Sequence, residues 1–289
     1  MSHSNATAPT QFLDVNGDRY AYRRFGNRGA IPLLFLQHFT GTLDNWDPAV
    51  TDPLASERDV ILFDNAGIGR SSGTVPGSVA GMAMHALAFL DGLGITTCDV
   101  LGYSLGGMVA QEMVLDRPSI FRRMILAATA PRGGEDIMHL DKPVLARHLG
   151  NPALKGYAVL QKIFFAPTLS SQAAGEAFVA RLMQRKEDRD PVSGPEVAGA
   201  QMAAFRDWER VNGERFASLG NIRQPTLVFN GVHDEMIPVR NSWWLSENMP
   251  NAMLLTFPDS GHGAIFQFSQ AFTRQAAAFR TADGAFAPY

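Results

Sequence analysis

Short apolar runs alternate with helix-patterned segments along most of this chain, and that alternation leaves few architectures open. The runs Ile31 to Leu36, Val60 to Phe63, Val100-Leu101, Met124 to Ala128, Thr226 to Phe229 and Met253 to Phe257 have the length and continuity of strands buried on both faces. Between them, Val79 to Leu93 places apolar residues at spacings of three and four, and Gly106 to Asp116 has similar helical character. Repetition of strand, helix and strand implies a doubly wound α/β sheet with mostly parallel strands. Ahead of it, Phe12 to Val15 and Arg19 to Tyr22 flank Asn16-Gly17-Asp18 and read as an antiparallel hairpin at one edge. The expectation is a mostly parallel eight-stranded sheet flanked by helices. In such sheets ligands bind beyond the carboxyl ends of the strands, so the residues that follow each run carry the chemistry.

The alternation lapses after Ala128 and resumes at Gln224-Pro225. Residues 134–220 therefore read as a helical insert, which the resemblance given below makes a cap or lid, with the first part of the core at 1–133 and the second at 221–289. The run Arg185-Lys186-Glu187-Asp188-Arg189-Asp190 within the insert has cancelling signs and reads as a solvated face.

Composition narrows the function classes. With 46% hydrophobic and 18% charged residues the chain is built to fold, and a formal charge of -3 with no Lys/Arg block offers no footprint for nucleic acid or an anionic membrane. The single cysteine, Cys98, sits in an apolar run and reads as a buried structural thiol. Met1 to Thr10 lack the basic start and apolar stretch of a secretory signal, and no uncharged run approaches the ~20 residues a bilayer needs, so the expected location is cytoplasmic.

Gly102-Tyr103-Ser104-Leu105-Gly106 follows one apolar run directly and opens a helical segment, the context in which a G-x-S-x-G turn presents its serine as a nucleophile. The glycines have a mechanical reason: a Cβ at either place would collide with the adjoining strand or helix. A serine hydroxyl needs an imidazole to take its proton and a carboxylate to hold that imidazole in the right tautomer. His262, among the small residues Ser260-Gly261 and Gly263 after the last run, is the candidate base. Asp234, after the Thr226 to Phe229 run, is the favoured acid, and Glu235, Glu135 and Asp136 are its rivals. An attacked carbonyl also needs preset N–H donors. The Leu105 amide is one, and the Phe39 amide is chosen as the other, with Thr40 one step away as a competitor.

These segments resemble the α/β-hydrolase superfamily from about Phe12 to Phe279. The matching stretches are Gln37 to Gly41 with Asn45-Trp46-Asp47, Asp64 to Ser71, the turn at Ser104, Asn230 to Asp234 with Pro238, and Ser260-Gly261-His262. Among its branches the chain is most similar to the capped serine esterases, lactonases and cofactor-free haloperoxidases or perhydrolases. A serine at residue 104 sets it apart from the dehalogenase and epoxide hydrolase branches, which use aspartate there. It departs from the family in having Phe39, rather than glycine, directly after His38.

The resemblance implies hydrolysis of a carboxylic ester or lactone of a small, largely apolar molecule through an acyl-enzyme, with no cofactor and no metal. Perhydrolysis, amide hydrolysis and C–C bond hydrolysis use the same groups. A non-catalytic small-molecule receptor on the same fold is the reading from another class. Met138, Phe164, Phe165, Met202, Phe205 and Trp208 of the insert are expected to be lid core before substrate contacts. Nothing in the residues decides for or against a homo-oligomer.

Overall fold

The computed structural model describes residues 3–139, 141–148, 151 and 153–281. Met1, Ser2 and residues 282–289, at the outer ends of the two expected core segments, lie outside the described residues, as do 140, 149, 150 and 152 of the insert. Eight strands form one sheet in the order β1-β2-β4-β3-β5-β6-β7-β8. They are β1 (Gln11–Val15), β2 (Asp18–Gly26), β3 (Pro32–Leu36), β4 (Asp59–Phe63), β5 (Cys98–Tyr103), β6 (Phe121–Ala127), β7 (Thr226–Gly231) and β8 (Ala252–Phe257). β1 and β2 pair antiparallel through a turn in which Asn16 and Gly17 both have positive φ, 52° and 91°, as a two-residue hairpin of matching twist demands. β2 meets β4 antiparallel, and all remaining pairs are parallel.

The central strands read as continuous apolar runs because both of their faces are covered: every residue of β4 and of β5 is buried. Cys98 is buried in β5, and burial with Asp99 alongside pushes its thiol up to about 12. Helices α1 (Pro48–Ala55), α2 (Val79–Gly92) and α3 (Leu105–Asp116) follow β3, β4 and β5. The side chain of Ser78 caps α2 by accepting from the Gly81 amide, and α2 packs on α3.

Between β6 and β7 the described residues contain no strand, a short 3-10 helix at Ala217–Asn221 and four α-helices: α4 (Pro143–His148), α5 (Tyr157–Phe164), α6 (Leu169–Leu182) and α7 (Pro195–Trp208). After β7 come α8 (Val239–Asn248), then beyond β8 the short α9 (Ala264–Gln267) and α10 (Ser269–Thr281). α6 packs on α9, and α7 reaches α2. No helix among the described residues is long and apolar enough to cross a membrane.

The charged run at 185–190 departs from the solvated face expected of it. Lys186, Glu187 and Asp188 are exposed, but Arg185 is buried and donates to the backbone carbonyls of Asn5, Ala6 and Ala8 at 3.1, 3.3 and 2.9 Å. The carboxylate of Asp190 lies 3.6 Å from the Arg23 guanidinium and 3.8 Å from that of Arg70, while its amide donates to Asp44 at 2.8 Å. Arg23 in turn holds Asp44 at 2.7 Å with neither side chain more than 3% exposed. Cancelling signs show only that a segment has little net field. Here they face charges already buried in the core: Asp190 sits near two guanidinium groups, but neither of its carboxylate oxygens has a hydrogen-bond partner among the described residues, so its burial is only partly compensated.

Candidate active site

Ser104 closes β5 and stands at the head of α3, with φ 56° and ψ -120°. That is a strained conformation for any residue but glycine, and it lifts the side chain clear of both elements. The neighbours permit it. A Cβ on Gly102 would lie 2.3 Å from the Gly106 carbonyl oxygen, and one on Gly106 would lie 2.0 Å from that of Leu36. Strand β3, the turn and the first turn of α3 can approach so closely only with glycine at both places.

Asp234 and His262 come from the loops after β7 and β8, adjacent parallel strands whose carboxyl ends face the same edge of the sheet. Their side chains meet at 2.8 Å, His262 Nδ1 to Asp234 Oδ2, and both are fully buried. The other carboxylate oxygen, Oδ1, accepts the amides of Met236 and Ile237 at 2.9 Å each. An ionised carboxylate only accepts, so Nδ1 carries the proton and Nε2 is left with its lone pair. Nε2 is buried and has no hydrogen-bond partner among the described residues. The ring stands 5.2 Å from that of Tyr103, the residue before Ser104, and the Tyr103 hydroxyl donates to the His262 carbonyl at 3.3 Å.

The structure thus pairs Asp234 with His262 and sets them beside the serine turn, but the Ser104 hydroxyl and His262 Nε2 are not hydrogen-bonded. The rival acids are engaged elsewhere: Glu235 with Arg147, Glu135 with Arg215 and Asp136 with Arg240.

In the loop after β3, the Gly41 amide donates to the His38 carbonyl at 3.0 Å, making a turn centred on Phe39 and Thr40. The Thr40 amide is taken by Gln201 Oε1 at 2.6 Å, which removes it as a donor to a ligand. The Phe39 amide has no acceptor among the described residues. Leu105 begins α3, where the first amides lack an intrahelical acceptor. His38 donates from Nδ1 to the Phe39 carbonyl at 2.8 Å. Burial, with His262 nearby adding to it, lowers its pKa to about 4, so it is neutral at neutral pH.

The inserted helices close over these groups. Phe164, at the end of α5, packs its ring 5.4 Å from His262 and 5.2 Å from His38, and its carbonyl accepts the Gly263 amide at 2.7 Å. Phe205 of α7 lies 5.9 Å from Phe39. Met138, Phe165 and Trp208 are buried within the insertion or against the core, Trp208 donating to the Ala130 carbonyl. Ser104 is 2% exposed, and a cavity of about 30 Å³ bounded by Gln37, His38, Gly41, Leu105 and Gln201 has room for water rather than substrate. Among the described residues no three His, Cys, Asp or Glu side chains are grouped to hold a metal ion.

Sequence reasoning misses Gln201 and also Ser193, whose hydroxyl donates to the Thr40 carbonyl at 2.8 Å. One signal is there: Gln201 shares the buried stripe of α7 with Val197, Ala204, Phe205 and Trp208, and a polar residue in an apolar stripe needs a partner.

Residues 31–269 match the family described as alpha/beta hydrolase fold. Among solved structures, an alpha/beta hydrolase fold protein from Chitinophaga pinensis is 39% identical, with a TM-score of 0.90 over 97% of this chain and 100% of that one. A Pseudomonas savastanoi protein named as a carbamate hydrolase, RutD, is 29% identical over 81% of this chain and 87% of its own. A poly(3-hydroxyalkanoate) depolymerase from Ectopseudomonas oleovorans is 30% identical over 88% of this chain and 87% of its own. With its eight-stranded sheet, its serine turn and these likenesses, the chain belongs to the α/β-hydrolase family and is a hydrolase.

Proposed function

We infer that the protein is a serine hydrolase that cleaves a carboxylic ester or lactone of a small, largely apolar molecule. One observation carries the reading: a fully buried Asp234–His262 pair leaves the Nε2 lone pair bare beside the strained turn that bears Ser104. In this reading Ser104 attacks the carbonyl carbon while His262 Nε2 takes its proton and Asp234 holds the resulting imidazolium. The Phe39 and Leu105 amides receive the oxyanion. His262 returns the proton to the leaving oxygen, then draws one from water as the hydroxide attacks the acyl carbon, and hands it to Ser104 Oγ as that oxygen leaves, releasing the acid and restoring both residues. The route uses no metal or organic cofactor. The helical insertion acts as the cap, and the apolar Phe39, Phe164 and Phe205 favour an apolar acyl or aryl group.

Two of the relatives, one named a carbamate hydrolase and the other a poly(3-hydroxyalkanoate) depolymerase, support a reading as chemistry at a carbonyl. Perhydrolysis, amide hydrolysis and C–C cleavage would use the same groups and are separated only by substrate. A panel of p-nitrophenyl esters and lactones of graded chain length, run on wild type and Ser104→Ala, tests the reading. Turnover of at least one substrate, abolished in the variant, and a fluorophosphonate adduct on Ser104 are expected. Full activity in the variant would overturn the mechanism, and a folded protein that takes no adduct would point to a binding protein.

A further inference from the structure

The turn that offers the Phe39 amide is held from outside at its most strained residue. Thr40 has φ 57°, the positive value that the third residue of a type II turn needs and that glycine or asparagine usually supplies. For a β-branched residue this conformation is unfavourable and persists only where surroundings over-determine it. The surroundings are specific. The peptide between Phe39 and Thr40 is pinned at both ends, its carbonyl by His38 Nδ1 at 2.8 Å and its N–H by Gln201 Oε1 at 2.6 Å. The Thr40 carbonyl accepts from Ser193 Oγ at 2.8 Å, and the Phe39 ring rests near Phe205. Gln201 and Phe205 belong to α7, and Ser193 lies just ahead of it. Gln201 is 4% exposed, so its amide has little water to exchange for this bond.

The geometry points to a positioning role for Gln201: it holds the Phe39–Thr40 peptide in the orientation that aims the Phe39 N–H at the oxyanion, so the oxyanion hole is complete only while α7 is seated on the core. This inference rests on the serine hydrolase reading and adds to it a link between cap and catalysis. Without the acceptor, Thr40 is free to return to negative φ. That turns the Phe39 carbonyl away from His38, and the backbone angles on both sides of Phe39 lose their restraint. A donor displaced by a fraction of an ångström still lets substrate bind but stabilises the developing charge poorly.

The test is Gln201→Met, which keeps the side chain's length and removes the acceptor. On the best ester of the panel, kcat is expected to fall at least about tenfold with KM within about twofold, the mark of an interaction made in the transition state. Hydrogen exchange of the amides of residues 38–42 is expected to quicken in the same variant. Thr40→Gly placed in the Gln201→Met background is expected to restore kcat to within about threefold, because glycine keeps positive φ unaided. A packing role for Gln201 predicts no such rescue. An unchanged kcat, or a loss that Thr40→Gly does not relieve, would overturn the inference, as would unchanged exchange at the turn. Failure of the underlying reading shows separately, as full activity in Ser104→Ala, and leaves the exchange measurement to judge the turn on its own.

Discussion

At the scale of single residues, the two oxygens of Asp234 have divided work. Oδ1 is committed to the Met236 and Ile237 amides and Oδ2 to His262. In Asp234→Asn the remaining oxygen stays with the two amides, so the new NH₂ faces Nδ1 and forces the proton onto Nε2. The ring then has no lone pair for the Ser104 proton, and kcat is expected to fall on the order of 10³- to 10⁴-fold with little change in melting temperature, read by ester kinetics and thermal scanning. His38 gives a second prediction. Its pKa is about 4 in the folded chain against about 6.5 in an unfolded one, so its contribution is complete above pH 6.5 and is lost as pH falls toward 4. Roughly 3 kcal/mol of stability is at stake. His38→Asn keeps a donor where Nδ1 stands, and urea unfolding between pH 7 and pH 4 should show a flatter dependence than wild type. Ser104, His262 and Asp234 are legible in the sequence because each follows a strand and stands beside glycine or turn residues. Gln201 is not, since its partner lies 161 residues away and nothing local names it.

At the scale of elements, the strands are the most readable part because burial on both faces leaves unbroken apolar runs. β2 is longer than the four residues expected, running Asp18–Gly26, because its later residues Tyr22 to Gly26 pair with β4 although arginines interrupt their apolar pattern. The charged run deceives for a related reason: charge pattern reports net field and says nothing of depth. Two glycines test what the elements demand. Gly106→Ala would set a methyl 2.0 Å from a β3 carbonyl oxygen that cannot move without shifting the sheet, and a loss of about 3 kcal/mol or more, or failure to fold, is expected in urea titration. Gly199 lies inside α7, where a methyl in place of its hydrogen would meet nothing within 4 Å, so Gly199→Ala should raise stability by about 0.5–1 kcal/mol in the same assay.

At the scale of the whole molecule, one buried cluster joins distant parts of the chain: Arg23 of β2, Asp44 after β3, Arg70 after β4 and Asp190 of the insertion. Burial, together with Asp44, raises the Asp190 carboxyl to about 6, and burial and Asp190 raise that of Asp64. A raised acid contributes its stability below the unfolded value near 4 and loses it as pH climbs through about 6, opposite in sign to His38 over the same interval. Asp190→Asn should therefore gain on wild type at pH 7 and lose that gain toward pH 4, as thermal scans at the two values would show. That the insertion is tied into the core by charges is hidden from the sequence, because each partner lies on a different segment and none is close in number.

The carbonyl of Phe164 receiving the Gly263 amide has a further consequence. It belongs to the last residue of α5, and the amide belongs to the residue after His262, so α5 and the loop bearing His262 share one backbone bond. In the function proposed above, an outward movement of α5 would also slacken the backbone that aims the imidazole. Entry and departure of a guest would then fall outside the interval in which the base is set, and proton transfer would take place with the chamber shut and dry.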